Sequence, residues 1–299
     1  MLTIFSTSKP FTGHNAVIQL NAIGSWLKLR PRCEIILFGD DKGTLEVAQE
    51  FGIIHVPDIA CNEHGTPLLS DMFRTASEMA SFPILCYVNA DIILLSDFLP
   101  AIGSIDRKPY LAIGQRWDLN VDERLNFNKQ DWEVSLRRNL AISGKLHAVT
   151  GIDYFVFPPA LYQNLPPFAI GRSAWDNWLI YHARRQGIPV IDATQVITII
   201  HQNHDYGHIA SPQPESWKGI EFERNLSLLG GMDRSFTLEH ATLILTPQGI
   251  RPALTLRHLY FRLAAVPMLF RPLHFLRWPM RALTWLIIGI RSVLGITRN

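Results

Sequence analysis

The chain predicts an α/β fold: a mostly parallel sheet flanked by helices, followed by a basic, apolar, helical tail. Three observations carry this. Short apolar runs alternate with segments of helical periodicity through residues 2–200, the pattern of strands joined by crossover helices. The run at 84–88 is apolar without alternation, which fits a strand buried on both faces of a parallel sheet. The last acidic residue is Glu239; eight arginines and no lysine follow it. Residues 1–239 therefore hold 20 of the 28 basic side chains against all 26 acids, a balance of −6, and the tail carries +8.

The elements follow in order. Residues 2–7 read as the first strand. Ala16, Leu20, Ile23 and Leu27 mark one face of a helix over 15–29. A strand at 34–38 ends in Gly39-Asp40-Asp41. Thr44 can cap a helix that runs to Phe51, with Gly52 just past its end. Residues 53–56 form a short strand. Thr66-Pro67 opens a helix with apolar positions Leu69, Met72, Phe73, Ala76 and Met79, proline suiting the first turn. The strand at 84–88 ends in Asn89-Ala90-Asp91, and 92–95 continues as an apolar run. Further on, 110–114 reads as a strand, 128–141 as a helix, and 147–157 contains a strand. Ser173 can cap a helix that closes at Gly187 and Pro189, and 190–200 is strand-like.

Composition narrows the class. With 47% hydrophobic and 18% charged residues, disorder is excluded. Three cysteines without a CxxC spacing cannot build a disulfide framework, which implies a reducing compartment. Residues 1–11 lack the charged start and apolar run of a secretory leader, so a cytoplasmic location is expected.

In open α/β sheets ligands bind at the carboxyl ends of strands. Three such ends are polar here: Ser6-Thr7, Asp40-Asp41 and Asn89-Ala90-Asp91. A carboxylate delivered to that edge is a hard ligand suited to magnesium or manganese, although Asp91 could equally cap a turn.

The chain resembles nucleotide-sugar-dependent glycosyltransferases of the GT-A fold, family 2-like, over roughly residues 1–210. The resemblance rests on Phe38-Gly39-Asp40-Asp41, on Tyr87-Val88-Asn89-Ala90-Asp91, and on the segments 151–157 and 171–178, with a late histidine after a strand. It implies a nucleotide-sugar donor and a divalent cation, Mn or Mg. Asp91 matches the metal-binding acid of an Asp-x-Asp motif whose first position is Asn89 here. His201 matches the residue that completes the metal shell, with His204 as the alternative. Thr7, Asp40 and Asp41 stand where the nucleoside is held, and Arg74 could face the diphosphate. Asp153 could hold donor-sugar hydroxyls. Asp176 matches the general base of an inverting transfer. Plain structural readings stand beside these. Arg74 fits a solvated helix face, Ser173-x-x-Asp176 is also a capping-box pattern, and three histidines between 201 and 208 could bind zinc or simply bond a loop. Two other functions remain: a non-catalytic sugar-nucleotide-binding module, favoured by Asn89, and a nucleotidyltransferase. Against the latter, residues 6–13 hold a single glycine rather than a glycine-rich phosphate loop.

The expected division is a catalytic domain over 1–240 and a tail over 241–299. The uncharged runs 263–270 and 282–290 are too short to span a bilayer, and Pro267, Pro272 and Pro279 interrupt any long helix. From Pro279 onward, Arg281, Thr284 and Arg291 share one stripe, with Trp285, Leu286, Ile287, Ile290 and Leu294 elsewhere. That pattern predicts a helix lying in the interface of an anionic membrane, with a helix packed on the protein or at an oligomer interface as the alternative. With the resemblance, it implies a peripheral or monotopic transferase and a lipid-linked or glycan acceptor. The apolar content argues against nucleic acid.

Overall fold

A computed structural model describes residues 1–203 and 217–276. The chain forms two compact units, Met1–Pro252 and Ala253–Asn299. The boundary expected after residue 240 thus falls inside the first unit. His204, Asp205 and the helix expected beyond Pro279 lie outside the described residues.

The first unit runs β1 (Thr3–Thr7), α1 (Gly13–Lys28), β2 (Glu34–Phe38), α2 (Thr44–Phe51), β3 (Ile54–Val56), α3 (Leu69–Met79), β4 (Leu85–Val88), β5 (Ile92–Leu94), α4 (Phe98–Gly103), β6 (Leu111–Ile113), β7 (Trp117–Leu119), α5 (Trp132–Ser143), β8 (Lys145–Leu146), β9 (Tyr154–Phe157), α6 (Trp175–Arg185), β10 (Val190–Asp192), β11 (Ile199–Gln202), α7 (Ile220–Leu229), β12 (Leu243–Thr246) and β13 (Gly249–Pro252). The second unit contains α8 (Leu256–Leu269) and a short 3-10 turn (Arg271–Leu276).

The main sheet has the order β13-β12-β10-β6-β9-β4-β1-β2-β3. Pairs β4–β1, β1–β2, β2–β3, β6–β10 and β10–β12 are parallel; β9 runs antiparallel to both β4 and β6. The mostly parallel sheet expected from the sequence is present. A second, small sheet has the order β5-β11-β7-β8.

Alternating residues of the buried strands feed two cores, as the period of two dictates. Ile4, Leu37, Cys86, Val88 and Val156 pack with Ile23 and Trp26 of α1. Phe5, Tyr87 and Phe157 point the other way and form an aromatic cluster around Phe73 of α3, with Phe5–Phe73 centroids 5.0 Å apart and Phe73 stacked on Phe157 at 5.3 Å. Helices on both faces complete the layers.

Several local readings are corrected. The helix opened by Thr66-Pro67 starts only at Leu69, because Cys61 and Pro67 form a β-bridge and Leu68 N–H donates to Ala60 C=O at 2.9 Å. Thr44 does not cap α2. Gly43 (φ 90°) does, and the Thr44 hydroxyl bonds Ser8 Oγ at 3.0 Å. Ser173 does not cap α6 either. Ala174 occupies that position with φ 92°, so no capping box forms with Asp176. The strand-like run 190–200 splits into β10 and β11, which belong to different sheets. The face of α1 is also broader than its apolar stripe. Polar Asn21 and Ser25 are buried, and backbone and side chains of the small sheet satisfy them: Leu94 N–H donates to Ser25 Oγ at 3.0 Å, and Asn21 Nδ2 donates to Gln202 Oε1 at 3.0 Å.

Candidate active site

Topology places the site. Parallel strands β1, β2 and β4 end at one edge of the main sheet, so Thr7, Asp40, Asp41 and Asn89 share that edge. An antiparallel strand begins where its neighbours finish. Val88 of β4 pairs Tyr154 of β9, which sets Asp153 beside Asn89. The small sheet supplies the rest. His201 on β11 is in register with Asp118 on β7 and with Ile92 on β5, the residue after Asp91. Opposed residues on neighbouring strands bring their side chains within reach of each other.

The resulting cluster is continuous. Tyr87 O–H donates to Asn89 Oδ1 at 3.0 Å, and Asn89 Nδ2 donates to Asp153 Oδ1 at 2.7 Å. Arg116 Nη1 donates to Asp153 Oδ2 at 3.0 Å, and its Nε donates to Asp118 Oδ1 at 2.9 Å. Asp118 Oδ2 lies 2.6 Å from His147 Nδ1. His201 Nδ1 lies 3.4 Å from Asp118 Oδ1, and its Nε2 lies 3.6 Å from Asp91 Oδ2. Gly151 leaves room for this arrangement: a Cβ there would sit 2.3 Å from the His147 ring.

Charge balance follows from contact. Burial disfavours a charged His201, yet the neighbouring Asp91 carboxylate raises its pKa above the ordinary imidazole value. Burial pushes the Asp118 carboxyl up, but its bond to His147 and the positive charges of Arg116 and the histidines outweigh that and hold it below the usual range. Burial works against the Arg116 charge, and Asp153, Asp118 and Asp91 more than offset it.

Asp176 stands in the first turn of α6. Burial pushes its carboxyl up to about 6, the backbone N–H of Asn177 opposes this, and the charge of Asp153 adds to the rise. Its Oδ1 is inaccessible to water and has no hydrogen-bond partner among the described residues. The local backbone is held by α7. Asn225, fully buried, accepts from Ala169 N–H and donates to Ala169 C=O, both at 2.9 Å, just ahead of this turn.

The expected site residues thus divide. Asn89, Asp91, Asp153 and His201 come together, with Asp176 close enough for Asp153 to shift its pKa. Thr7 sits at the same sheet edge, its hydroxyl donating to Phe38 C=O at 3.1 Å. Asp40 and Asp41 are exposed there, and partial desolvation together with the Asp40 charge raises the Asp41 carboxyl. Arg74 is on the exposed, solvated face of α3, paired with Asp71 and with Glu78 at 2.8 Å. Arg116, Asp118 and His147 join the cluster without a motif in the sequence that marks them. The one trace of them in the sequence is the polar-apolar-polar step Arg116-Trp117-Asp118 directly after a strand.

The donor set suits a divalent cation shared with a substrate. Among the described residues no three His, Cys, Asp or Glu side chains are arranged to hold an ion by themselves. Asp91 and His201 offer one hard oxygen and one imidazole nitrogen, and magnesium-type sites commonly take one or two protein ligands with phosphate and water completing the shell.

No protein-family model matches the chain, and no curated protein matches it significantly. Solved structures do. GalNAc-T7 with UDP, GalNAc and Mn2+ is 13% identical at a TM-score of 0.47, over 77% of this chain and 48% of that one, so the chain spans about half its length. TarS of S. aureus in complex with UDP-GlcNAc is 14% identical at a TM-score of 0.47, over 78% of this chain and 72% of that one. Glucosyl-3-phosphoglycerate synthase from Mycobacterium tuberculosis, in complex with Mg2+ and UDP, is 15% identical at a TM-score of 0.46, over 79% of each chain.

Proposed function

We propose that the chain is a nucleotide-sugar-dependent glycosyltransferase. The observation that carries this reading is the convergence of Asp91, His201, Asp153 and the raised carboxyl of Asp176 at the ligand-binding edge of a mostly parallel sheet. Transfer from such a donor needs two things from the protein: charge compensation at the departing diphosphate, and a base at the attacking hydroxyl. A divalent cation held by Asp91 and His201 would act as a Lewis acid on the diphosphate. Arg116, a permanent cation fixed between Asp153 and Asp118, adds positive charge beside those ligands. Asp176 takes the proton of the acceptor hydroxyl. Its carboxyl near 6 matches a base that works near neutral pH. A base on the face opposite the leaving group gives inversion. Thr7, Asp40 and Asp41 bind the nucleoside part at the neighbouring strand ends.

The acceptor is a hydroxyl of a lipid-linked or glycan molecule, and the protein works as a peripheral or monotopic enzyme at the cytoplasmic face of an anionic membrane. The basic segment 251–299 supports this. Within it, α8 exposes Leu256, Leu259 and Leu263 at one helical spacing, next to arginine-rich sequence without an acid. No helix among the described residues is long and apolar enough to cross a membrane.

A screen of UDP-, GDP- and other nucleotide sugars, with and without manganese, tests the proposal. Release of the nucleoside diphosphate with at least one donor is expected. Tight binding of a nucleotide sugar with no turnover under any condition would instead establish the non-catalytic module, which the engagement of Asn89 by Tyr87 and Asp153 favours.

A further inference from the structure

Asp153 has both carboxylate oxygens engaged. Oδ1 accepts from Asn89 Nδ2 at 2.7 Å, and Oδ2 accepts from Arg116 Nη1 at 3.0 Å. The residue is 7% exposed. A second bond ties the same two residues, since Asn89 N–H donates to the Asp153 carbonyl at 3.0 Å. Chemistry fixes the amide's orientation. An ionised carboxylate only accepts, so the NH2 of Asn89 must face Asp153, and the amide oxygen is left to accept from the buried Tyr87 hydroxyl. Positions 89 and 153 therefore hold one negative charge between them, and Arg116 balances it. Two carboxylates at this separation would repel, and one of them would take up a proton.

We propose that Asp153 is a positioning residue, rather than a ligand of the donor sugar, and that Asn89 and Asp153 work as a single-charge pair that orients Asn89 next to Asp91 and anchors Arg116. The inference rests on the transferase reading for what the site does. It does not rest on that reading for the pairing itself. One consequence separates it from a direct sugar contact: the amide and the carboxylate are interchangeable. In the double exchange Asn89→Asp with Asp153→Asn, the amide at 153 can donate to the carboxylate at 89 and accept from Arg116, while Tyr87 still donates to position 89. Every bond is kept and the net charge is unchanged.

The test is a double-mutant cycle on the full chain: wild type, Asn89→Asp, Asp153→Asn and the exchange. Urea denaturation, calorimetric affinity for UDP and GDP, and donor turnover are the readouts. Each single variant is expected to lose stability, affinity and turnover. Contacting pairs of this kind couple by roughly twofold to a hundredfold in an equilibrium constant, so the exchange is expected to recover most of the loss in all three. Two results overturn the proposal. Additive stability losses would mean that the two residues are not a pair. Recovered stability with affinity or turnover still at the level of Asp153→Asn would mean that the carboxylate itself touches the substrate. A wild type that turns over no donor refutes the transferase reading, while the stability and affinity arms still decide the pair.

Discussion

At pH 7 the Asp176 carboxyl, pushed up to about 6, is mostly ionised while one of its oxygens has no partner among the described residues. The group therefore opposes stability in the same pH range in which the proposed base would act. As a carboxyl whose folded pKa lies above its unfolded value, it weakens the fold as pH rises through the window from about 4 to about 6. Asp176→Asn removes that penalty, so urea denaturation at pH 8 should show the variant at least as stable as wild type. Transfer should fall roughly 10²-fold or more, because an amide cannot accept the proton. The wild-type rate should also climb with pH through about 6, and the variant should lose that limb. Near-normal transfer by Asp176→Asn would make the residue structural. At the other end of the cluster, Asp91→Ala is expected to abolish donor turnover and to lower the His201 pKa, since Asp91 does most to raise it, ahead of Asp153. An NMR titration of the His201 ring measures the second effect independently of the first.

At the scale of elements, the site depends on which strands are neighbours. The antiparallel β9 puts Asp153 at the end of β4, and β11 puts His201 between β5 and β7. The sheet that holds these ends is locked to α3 through Phe73, which contacts Phe5, Tyr87, Phe157 and Tyr162 and is fully buried. Phe73→Ala should destabilise the chain by about 3–5 kcal/mol, the range for deleting a buried ring from a packed core. Chemical denaturation checks this, and a loss within 1 kcal/mol would mean that the cluster collapses to refill the space. The polar face of α1 matters in another way. Asn21 and Ser25 bind backbone and side chains of the small sheet, so this contact fixes a register that an apolar face alone would leave free to slide.

For the whole molecule, the division of charge is the dominant feature: −6 over residues 1–239 and +8 beyond. If the basic segment docks on lipid, two forces act together. Arginine near an anionic leaflet contributes about 1 kcal/mol each, and the exposed leucines of α8 add an apolar contribution that salt does not screen. Co-sedimentation with phosphatidylserine-containing vesicles should therefore pellet the full chain, and high salt should release it only in part. A chain ending at residue 252 loses seven of the eight arginines and should remain in the supernatant. If the full chain also stays in the supernatant, the membrane assignment fails.

What the sequence determined by itself was local: the periodicity of strands and helices, the unalternating strand at 84–88, the polar strand ends, and the one-signed tail. These follow from residue spacing, which is visible without a fold. Asn89, Asp91 and Asp153 were legible for the same reason, because each stands at the end or start of a readable strand. The tertiary structure alone decided that Arg74 faces solvent beside Asp71 and Glu78, that Ala174 rather than Ser173 precedes α6, and that Arg116, Asp118 and His147 join the cluster. Those three lie on or beside strands of two or three residues, too short to show a period. Their proximity to His201 comes from pairing across more than fifty residues of chain, a long-range contact that no local pattern encodes.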